Sequence, residues 1–148
     1  MNNKSQDPVI FQFFNEIGII EQLARIKMES RMPDGIKFSQ FIVLNHLVRL
    51  DGQWSPLRLA RAFQVTKGAM TNTLTRLEAR KLVKISPNPA DGRAKIVTLT
   101  KAGRHIREAC VQAINPMLEE IEREFGNDTV SQTLPTLKKV REFLDEHR

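Results

Sequence analysis

Residues 88–103 read NPADGRAKIVTLTKAG, and the change of rhythm inside this stretch decides the fold. Pro87, Pro89, Asp91 and Gly92 are residues that reverse a chain: proline presets φ, glycine admits positive φ, and aspartate bonds to nearby amides. From Lys95 through Ile96, Val97, Thr98 and Leu99 the chain alternates as a strand with one covered face does. Upstream, Val83 and Ile85 alternate with Lys84 and Ser86 in the same way. Two such runs around a turn predict a β-hairpin, with Arg93 and Lys95 at its basic tip. At the exit, Thr100 is placed to cap a helix. Its apolar positions Ile106, Ala109, Ala113, Ile114, Met117, Leu118 and Ile121 continue to Phe125, with a kink expected at Pro116.

Working back from the hairpin, Thr66 can cap a helix running to about residue 81. Only Gln64 and Val65 separate it from an earlier short helix, in which Ser55 caps, Pro56 takes the first position, and Leu57, Leu59, Ala60 and Phe63 form the apolar side. Two short helices joined by so tight a turn are a helix-turn-helix candidate. Before them, Phe41, Leu44, Leu47 and Val48 mark a short, largely buried helix from Ser39 that ends at Asp51 and Gly52. MPDG at residues 32–35 separates it from a first amphipathic helix, residues 8 to about 29, carrying Ile10, Phe13, Phe14, Ile17, Ile20, Leu23 and Ala24. After Gly126, Asn127 is expected to cap a last helix striped by Val130, Leu134, Leu137, Val140 and Leu144, despite Pro135. The order is helix, helix, helix-turn-helix, hairpin, helix, helix, without an internal repeat.

Charge is distributed unevenly along this order. Between Trp54 and Arg107 twelve Lys and Arg face only Glu78 and Asp91, a net +10, whereas the remainder carries −4 of the chain's total of +6. A basic middle inside an acidic frame suits a polyanion, although charge alone also fits a solvated basic surface. The 148 residues are 41% hydrophobic, enough for one domain with a core. There is no apolar run long enough for a membrane span, and the polar start MNNKSQD lacks a basic leader, so a cytoplasmic protein is expected. Cys110, the single cysteine, cannot form an intramolecular disulfide. Without a P-loop, G-x-S-x-G, H-E-x-x-H or glycine-rich dinucleotide turn, an enzyme is not expected. His46, His105 and His147 with Cys110 lack the spacing of a zinc cluster, so neither metal nor cofactor is expected.

The helix after Thr66 carries the most specific signal. At about 100° per residue, Met70, Leu74 and Leu77 share one face. Gly68, Asn72, Thr75 and Ala79 lie opposite, flanked by Thr71 and Arg76. A solvated face usually carries Glu and Lys, which favour helix; Thr, Asn and Gly do not. Short hydrogen-bonding side chains make sense in a major groove, where Asn can read adenine, Arg guanine and a Thr methyl thymine. A glycine at the helix N-terminus would let free amides approach phosphate. A weakly formed surface helix is the bland alternative.

The whole span SPLRLARAFQVTKGAMTNTLTRLEARKLVKISPNPADGRAKIVTLTKAGR, residues 55–104, resembles the winged helix-turn-helix core of the MarR family of transcriptional regulators. The resemblance rests on LTRLEARKLV, on D-x-R at Asp91 to Arg93, and on VTLTKAG, and the flanking helices match in order and length. It implies a mainly α fold with a small β-hairpin wing. Residues 1–148 would then form a single MarR-like domain, with about 37–101 as the DNA-binding part and 8–30 and 102–146 as dimerisation helices. It further implies a homodimer, a repressor in the commonest case, bound to double-stranded DNA at a pseudo-palindromic operator. Major-groove contacts would fall on Thr66, Lys67, Gly68, Thr71, Asn72, Thr75 and Arg76, with a backbone contact at Ser55 and wing contacts among Asp91, Gly92, Arg93 and Lys95. Two departures stand out: the family often has Arg at the position of Asn72 and a bulkier or basic residue at that of Gly92.

The same resemblance implies a pocket for a small phenolic or aromatic effector between the dimerisation helices and the winged part, for which Phe13, Ile17, His46 and His105 are the candidates. Some members sense oxidants through a cysteine instead, which draws in Cys110. The reading from another class is a winged-helix dimer that serves as a protein-interaction module.

Overall fold

The computed structural model describes residues 7–148. Its elements are α1 (Val9–Glu29), α2 (Phe38–Arg49), α3 (Pro56–Phe63), α4 (Lys67–Ala79), β1 (Val83–Asn88), β2 (Asp91–Leu99), α5 (Lys101–Phe125) and α6 (Asn127–Glu146), the order expected from periodicity. It is a mainly helical winged helix-turn-helix with one two-stranded antiparallel hairpin. No helix among the described residues is long and apolar enough to cross a membrane.

Caps set the helix starts. The Ser55 hydroxyl accepts the Arg58 amide at 3.1 Å, and Pro56 follows where its missing N–H is harmless. The Thr66 hydroxyl accepts the Ala69 amide at 3.1 Å. Between them Gln64 takes a left-handed conformation (φ 52°), and the Val65 amide returns to the Ala60 carbonyl, so α3 reverses into α4 within three residues. The fourth helix ends at Ala79, two residues earlier than expected, because Lys81 turns left-handed (φ 59°) and leads the chain into β1.

The hairpin pairs Val83 with Leu99 through to Pro87 with Lys95, and then Asn88 with Asp91. Gly92, Arg93 and Ala94 therefore bulge from β2 with no partner on β1. Pro87 lacks the amide that could continue the ladder there. The reversal itself lies at Pro89 and Ala90, held by the Asn88 side-chain oxygen, which accepts the Ala90 amide at 3.0 Å. Gly92, a turn residue by its chemistry, lies instead in the bulge, without positive φ, and a Cβ there would meet open space. Of the residues expected to reverse the chain, Pro89 lies in the turn and Gly92 does not, and the Asn88 bond, not read from the sequence, holds it.

The core of the winged unit gathers Ile36, Phe41, Val43 and Leu44 below Leu59, Ala60, Met70, Leu74 and Leu77, with Leu82, Val83 and Val97 from the hairpin root and Ile106 and Cys110 from α5. Gln40, the buried polar residue of this unit, is satisfied: its Oε1 accepts the Lys37 amide at 3.1 Å. Arg107 ties α5 to α2 by two bonds to the Asn45 side-chain oxygen, at 3.1 and 2.9 Å.

The entry to α5 is tighter than its sequence suggests. Thr100 accepts the Gly103 amide at 2.9 Å as a cap, and its hydroxyl also lies 2.8 Å from the Lys81 carbonyl and 2.9 Å from that of Leu82. A Cβ on Gly103 would stand 2.0 Å from the Leu82 carbonyl oxygen. Glycine is required here by close approach of two backbones.

Contacts divide the chain into a unit ending at Ala113 and a second, Ile114–Arg148, with the division inside α5. The helix itself continues through Pro116. In the second unit Ile114 and Met117 are buried, while Leu118, Ile121, Phe125, Val130, Leu134, Phe143 and Leu144 are exposed. Gly126, with φ 78°, separates the two helices and stands as the N-cap of α6. Asn127 is therefore the first helical residue rather than the cap, because only glycine takes that positive φ without strain.

Candidate nucleic-acid interface

The buried side of α4 is Met70, Leu74 and Leu77, as its periodicity requires. Its opposite side leaves Lys67, Gly68, Thr71, Asn72, Thr75 and Arg76 exposed. Nothing in the protein demands glycine at 68: a Cβ would meet no atom within 4 Å. What Gly68 contributes is a bare backbone at the helix start. There the Thr66 hydroxyl serves only the Ala69 amide, leaving the Lys67 and Gly68 amides for an outside acceptor. The Thr75 hydroxyl donates to the Thr71 carbonyl at 2.8 Å and keeps its oxygen lone pairs as acceptors.

Between this helix and the hairpin runs a groove of about 620 Å³. It is lined by Lys67, Thr71 and Thr75 from α4, by Ser55 and its neighbours at the start of α3, and by Asp91, Arg93 and Lys95 from the wing. Seven of the twelve residues singled out for nucleic-acid contact therefore share one concave surface. Asn72, Arg76, Gly68 and Thr66 belong to α4 or its cap outside the groove lining, and Gly92 lies in the bulge.

The wing holds its arginine out by a local device. Asp91 Oδ1 accepts the Arg93 backbone amide at 3.1 Å. The carboxylate thus binds main chain, not the guanidinium. Among the described residues Lys67, Arg76, Arg93 and Lys95 make no salt bridge. Their charges are directed to solvent, where a phosphate backbone would gain them without displacing an internal partner.

Two further contacts are not legible in the sequence. Glu78 Oε2 accepts the Ile85 amide at 2.7 Å, and the Trp54 carbonyl accepts the Val97 amide at 2.7 Å. Ile85 and Val97 face each other across the hairpin, so each turns its amide outward and each finds an acceptor on a different element. Trp54 is fixed in turn by the Arg58 guanidinium, 4.5 Å from its ring, and by the His46 ring at 4.2 Å. No spacing signal marks Glu78 as an acceptor for a residue seven positions on.

The effector candidates are distributed differently. Phe13 and Ile17 are half-buried on α1, with Phe13 edge-on to Phe14 at 5.5 Å, and His105 is exposed on α5. His46 packs between Trp54 and Phe63, its Nε2 buried without a partner. Burial, then the nearby Arg49, lowers its pKa. None of the four lines the groove or a second cavity of about 490 Å³ between the end of α2 and the back of the hairpin. Cys110 is fully buried, and burial raises its pKa, with Arg80 opposing and Asp34 adding to the shift. A buried, protonated thiol is a poor nucleophile.

Comparison with known proteins agrees with this geometry. Residues 34–94 match the model of the MarR family. The multiple antibiotic resistance protein MarR of Escherichia coli K12 is 34% identical over 117 residues, covering 78% of this chain and 81% of that protein. The transcriptional activatory protein BadR of Rhodopseudomonas palustris is 32% identical, covering 72% of this chain and 63% of BadR. Among solved structures, a cysteine-to-serine mutant of E. coli MarR complexed with operator DNA superposes with a TM-score of 0.74 at 30% identity, over 88% of this chain and 94% of that one. With the winged unit, the recognition helix and the basic hairpin in place, the chain belongs to the MarR family of winged-helix transcriptional regulators.

Proposed function

We propose that this protein is a non-catalytic, sequence-specific DNA-binding regulator that acts in the cytoplasm as a homodimer on a pseudo-palindromic operator. The observation that carries the reading is the groove shared by α4 and the wing, with Lys67, Arg93 and Lys95 around it and none of them in a salt bridge. In this reading Asn72, Thr71, Thr75 and Arg76 meet base edges, the α4 N-terminus with Thr66, Lys67 and Gly68 meets phosphate, Ser55 touches the backbone, and the Asp91-Gly92-Arg93 bulge with Lys95 reaches the flanking groove. Repression follows if the operator overlaps the promoter.

Dimerisation is supported by apolar side chains left uncovered in each unit. Val9, Ile10, Phe11, Ile20, Leu23 and Ile26 of α1 are each more than half exposed, as are Phe125, Phe143 and Leu144 of the second unit. Such surface on a lone chain calls for a partner, and a second copy presents the same surfaces in symmetric form. A small aromatic effector near Phe13, Ile17, His46 or His105 would release DNA only by binding more tightly the dimer geometry that does not fit the operator.

The test is binding of the purified protein to its own upstream DNA and to random duplex at moderate salt. The upstream fragment should win, and affinity should fall by orders of magnitude between low and high salt if roughly six to ten phosphates are contacted. Equal affinity for both duplexes would sink the regulator reading, and a monomer in ultracentrifugation at micromolar concentration would sink the dimer.

A further inference from the structure

The basic segment between Trp54 and Arg107 contains two acids, and both direct a carboxylate oxygen to an amide of the wing: Asp91 to Arg93, and Glu78 to Ile85. Asp91 acts within its own turn. Glu78 acts between elements, from the last turn of α4 to β1, and its side chain lines the groove beside Thr71, Thr75, Arg93 and Lys95. A negative charge there opposes every phosphate that enters the groove, whatever the base sequence.

We propose that Glu78 is a positioning and specificity-determining residue, whose carboxylate pins the wing to the recognition helix and whose charge lowers affinity for any duplex. The proposal rests on the operator-binding reading. The pinning follows from the hairpin's pairing: Ile85 and Val97 turn their amides outward, Val97 to the Trp54 carbonyl and Ile85 to Glu78. The root of the wing is thereby held on one edge by the connector before α3 and on the other by α4. Releasing the Glu78 side frees the wing to change its angle to the helix that reads bases. A shared angle matters on an operator, where helix and wing must engage together, and matters little on random duplex, where contacts to phosphate dominate. The charge acts in the opposite sense. Repulsion of phosphate weakens binding to any duplex to the same degree, so the pin and not the charge sets the preference for the operator.

Glutamine and alanine separate the two roles. Glu78→Gln keeps an oxygen for the Ile85 amide and removes the charge; Glu78→Ala removes both. With full-length protein, affinities for the upstream operator fragment and for random duplex of equal length would be measured at low and moderate salt, alongside Ile85 amide exchange by NMR. Glu78→Gln should bind random duplex about threefold to tenfold tighter at low salt, a gain that shrinks as salt screens it. Its operator-to-random ratio should stay close to that of wild type, because the charge acts on both duplexes alike, while Ile85 stays protected. Glu78→Ala should lose about tenfold or more on the operator relative to Glu78→Gln, with Ile85 exchanging fast. Equal random-duplex affinity for wild type and Glu78→Gln overturns the electrostatic role. Equal operator affinity for Gln and Ala, or equal Ile85 exchange in all three proteins, overturns the pinning role. A wild type that fails to discriminate operator from random duplex defeats the operator reading itself, and the exchange measurement still judges the pin.

Discussion

The root and the tip of the wing are a few residues apart and are built on opposite principles. At the root, Leu82, Val83 and Val97 are buried, Gly103 packs against the Leu82 carbonyl, and acceptors on Trp54 and Glu78 take the outward amides. At the tip, Asn88 and Asp91 bond to amides two residues away, and everything from Pro89 to Arg93 is exposed. The root depends on residues distant in the chain, whereas the tip depends on itself. Stability is thereby concentrated in one place, and the proposed DNA contact in the other.

The sharpest way to break this contrast is to place one methyl group in each region. Gly103→Ala should lose about 3 kcal/mol or more, because the obstructing atom is backbone and cannot swing aside. Gly92→Ala, which meets open space without positive φ, should stay within about 0.5 kcal/mol of wild type. Chemical denaturation of the two variants decides the matter, and equal losses would remove the distinction.

Next in size are effects on binding that leave folding alone. Arg93→Ala should weaken DNA binding about tenfold on operator and random duplex alike, roughly 1.4 kcal/mol, with an unchanged melting temperature. Asn72→Ala should cost on the order of 1 to 3 kcal/mol at the operator and relax preference at one base pair. Fluorescence anisotropy against a panel of single-base operator variants separates the two patterns. If both substitutions weaken every duplex equally, the division between base contact and backbone contact fails.

The root should also show a pH response. The His46 pKa is lowered from 6.5 in the folded chain by burial and by Arg49, so the unfolded chain takes up its proton first. The stability associated with His46 is therefore complete above pH 6.5 and is lost as pH falls from there through the lower folded value. Melting curves from pH 7.5 to about 5.5 should fall more steeply for wild type than for His46→Phe, which keeps the contacts to Trp54 and Phe63 without the titrating nitrogen. Parallel curves would remove His46 from the account. A small gain is expected at Lys81. Its left-handed backbone (φ 59°) suits glycine, so Lys81→Gly should stabilise by about 0.5 to 1 kcal/mol, read in the same denaturation assay.

The contrast also explains what the sequence makes legible. Helix order, the three hydroxyl caps at Ser55, Thr66 and Thr100, and the buried stripe of α4 follow from rules spanning three or four residues, and all can be read directly. The exposed face of α4 stands out because Thr, Asn and Gly are poor helix formers there and so demand another reason. Local chemistry draws the turn too widely: Pro89 lies in the reversal, whereas Gly92 advertises positive φ that the chain does not use and the Asn88 bond holds the turn. Asn127 misleads similarly beside Gly126, where backbone freedom outcompetes a side-chain cap. Glu78, Trp54 and Gly103 act through atoms distant in sequence, and no local pattern carries that information.

The bond from Asp91 to the Arg93 amide engages main chain alone, so it places no demand on the identity of the side chains that follow. Positions 92 and 93, both exposed, can accordingly change side chain while the bond persists, proline at 93 excepted. A designer varying them could alter the proposed flanking contact without a compensating mutation in the core.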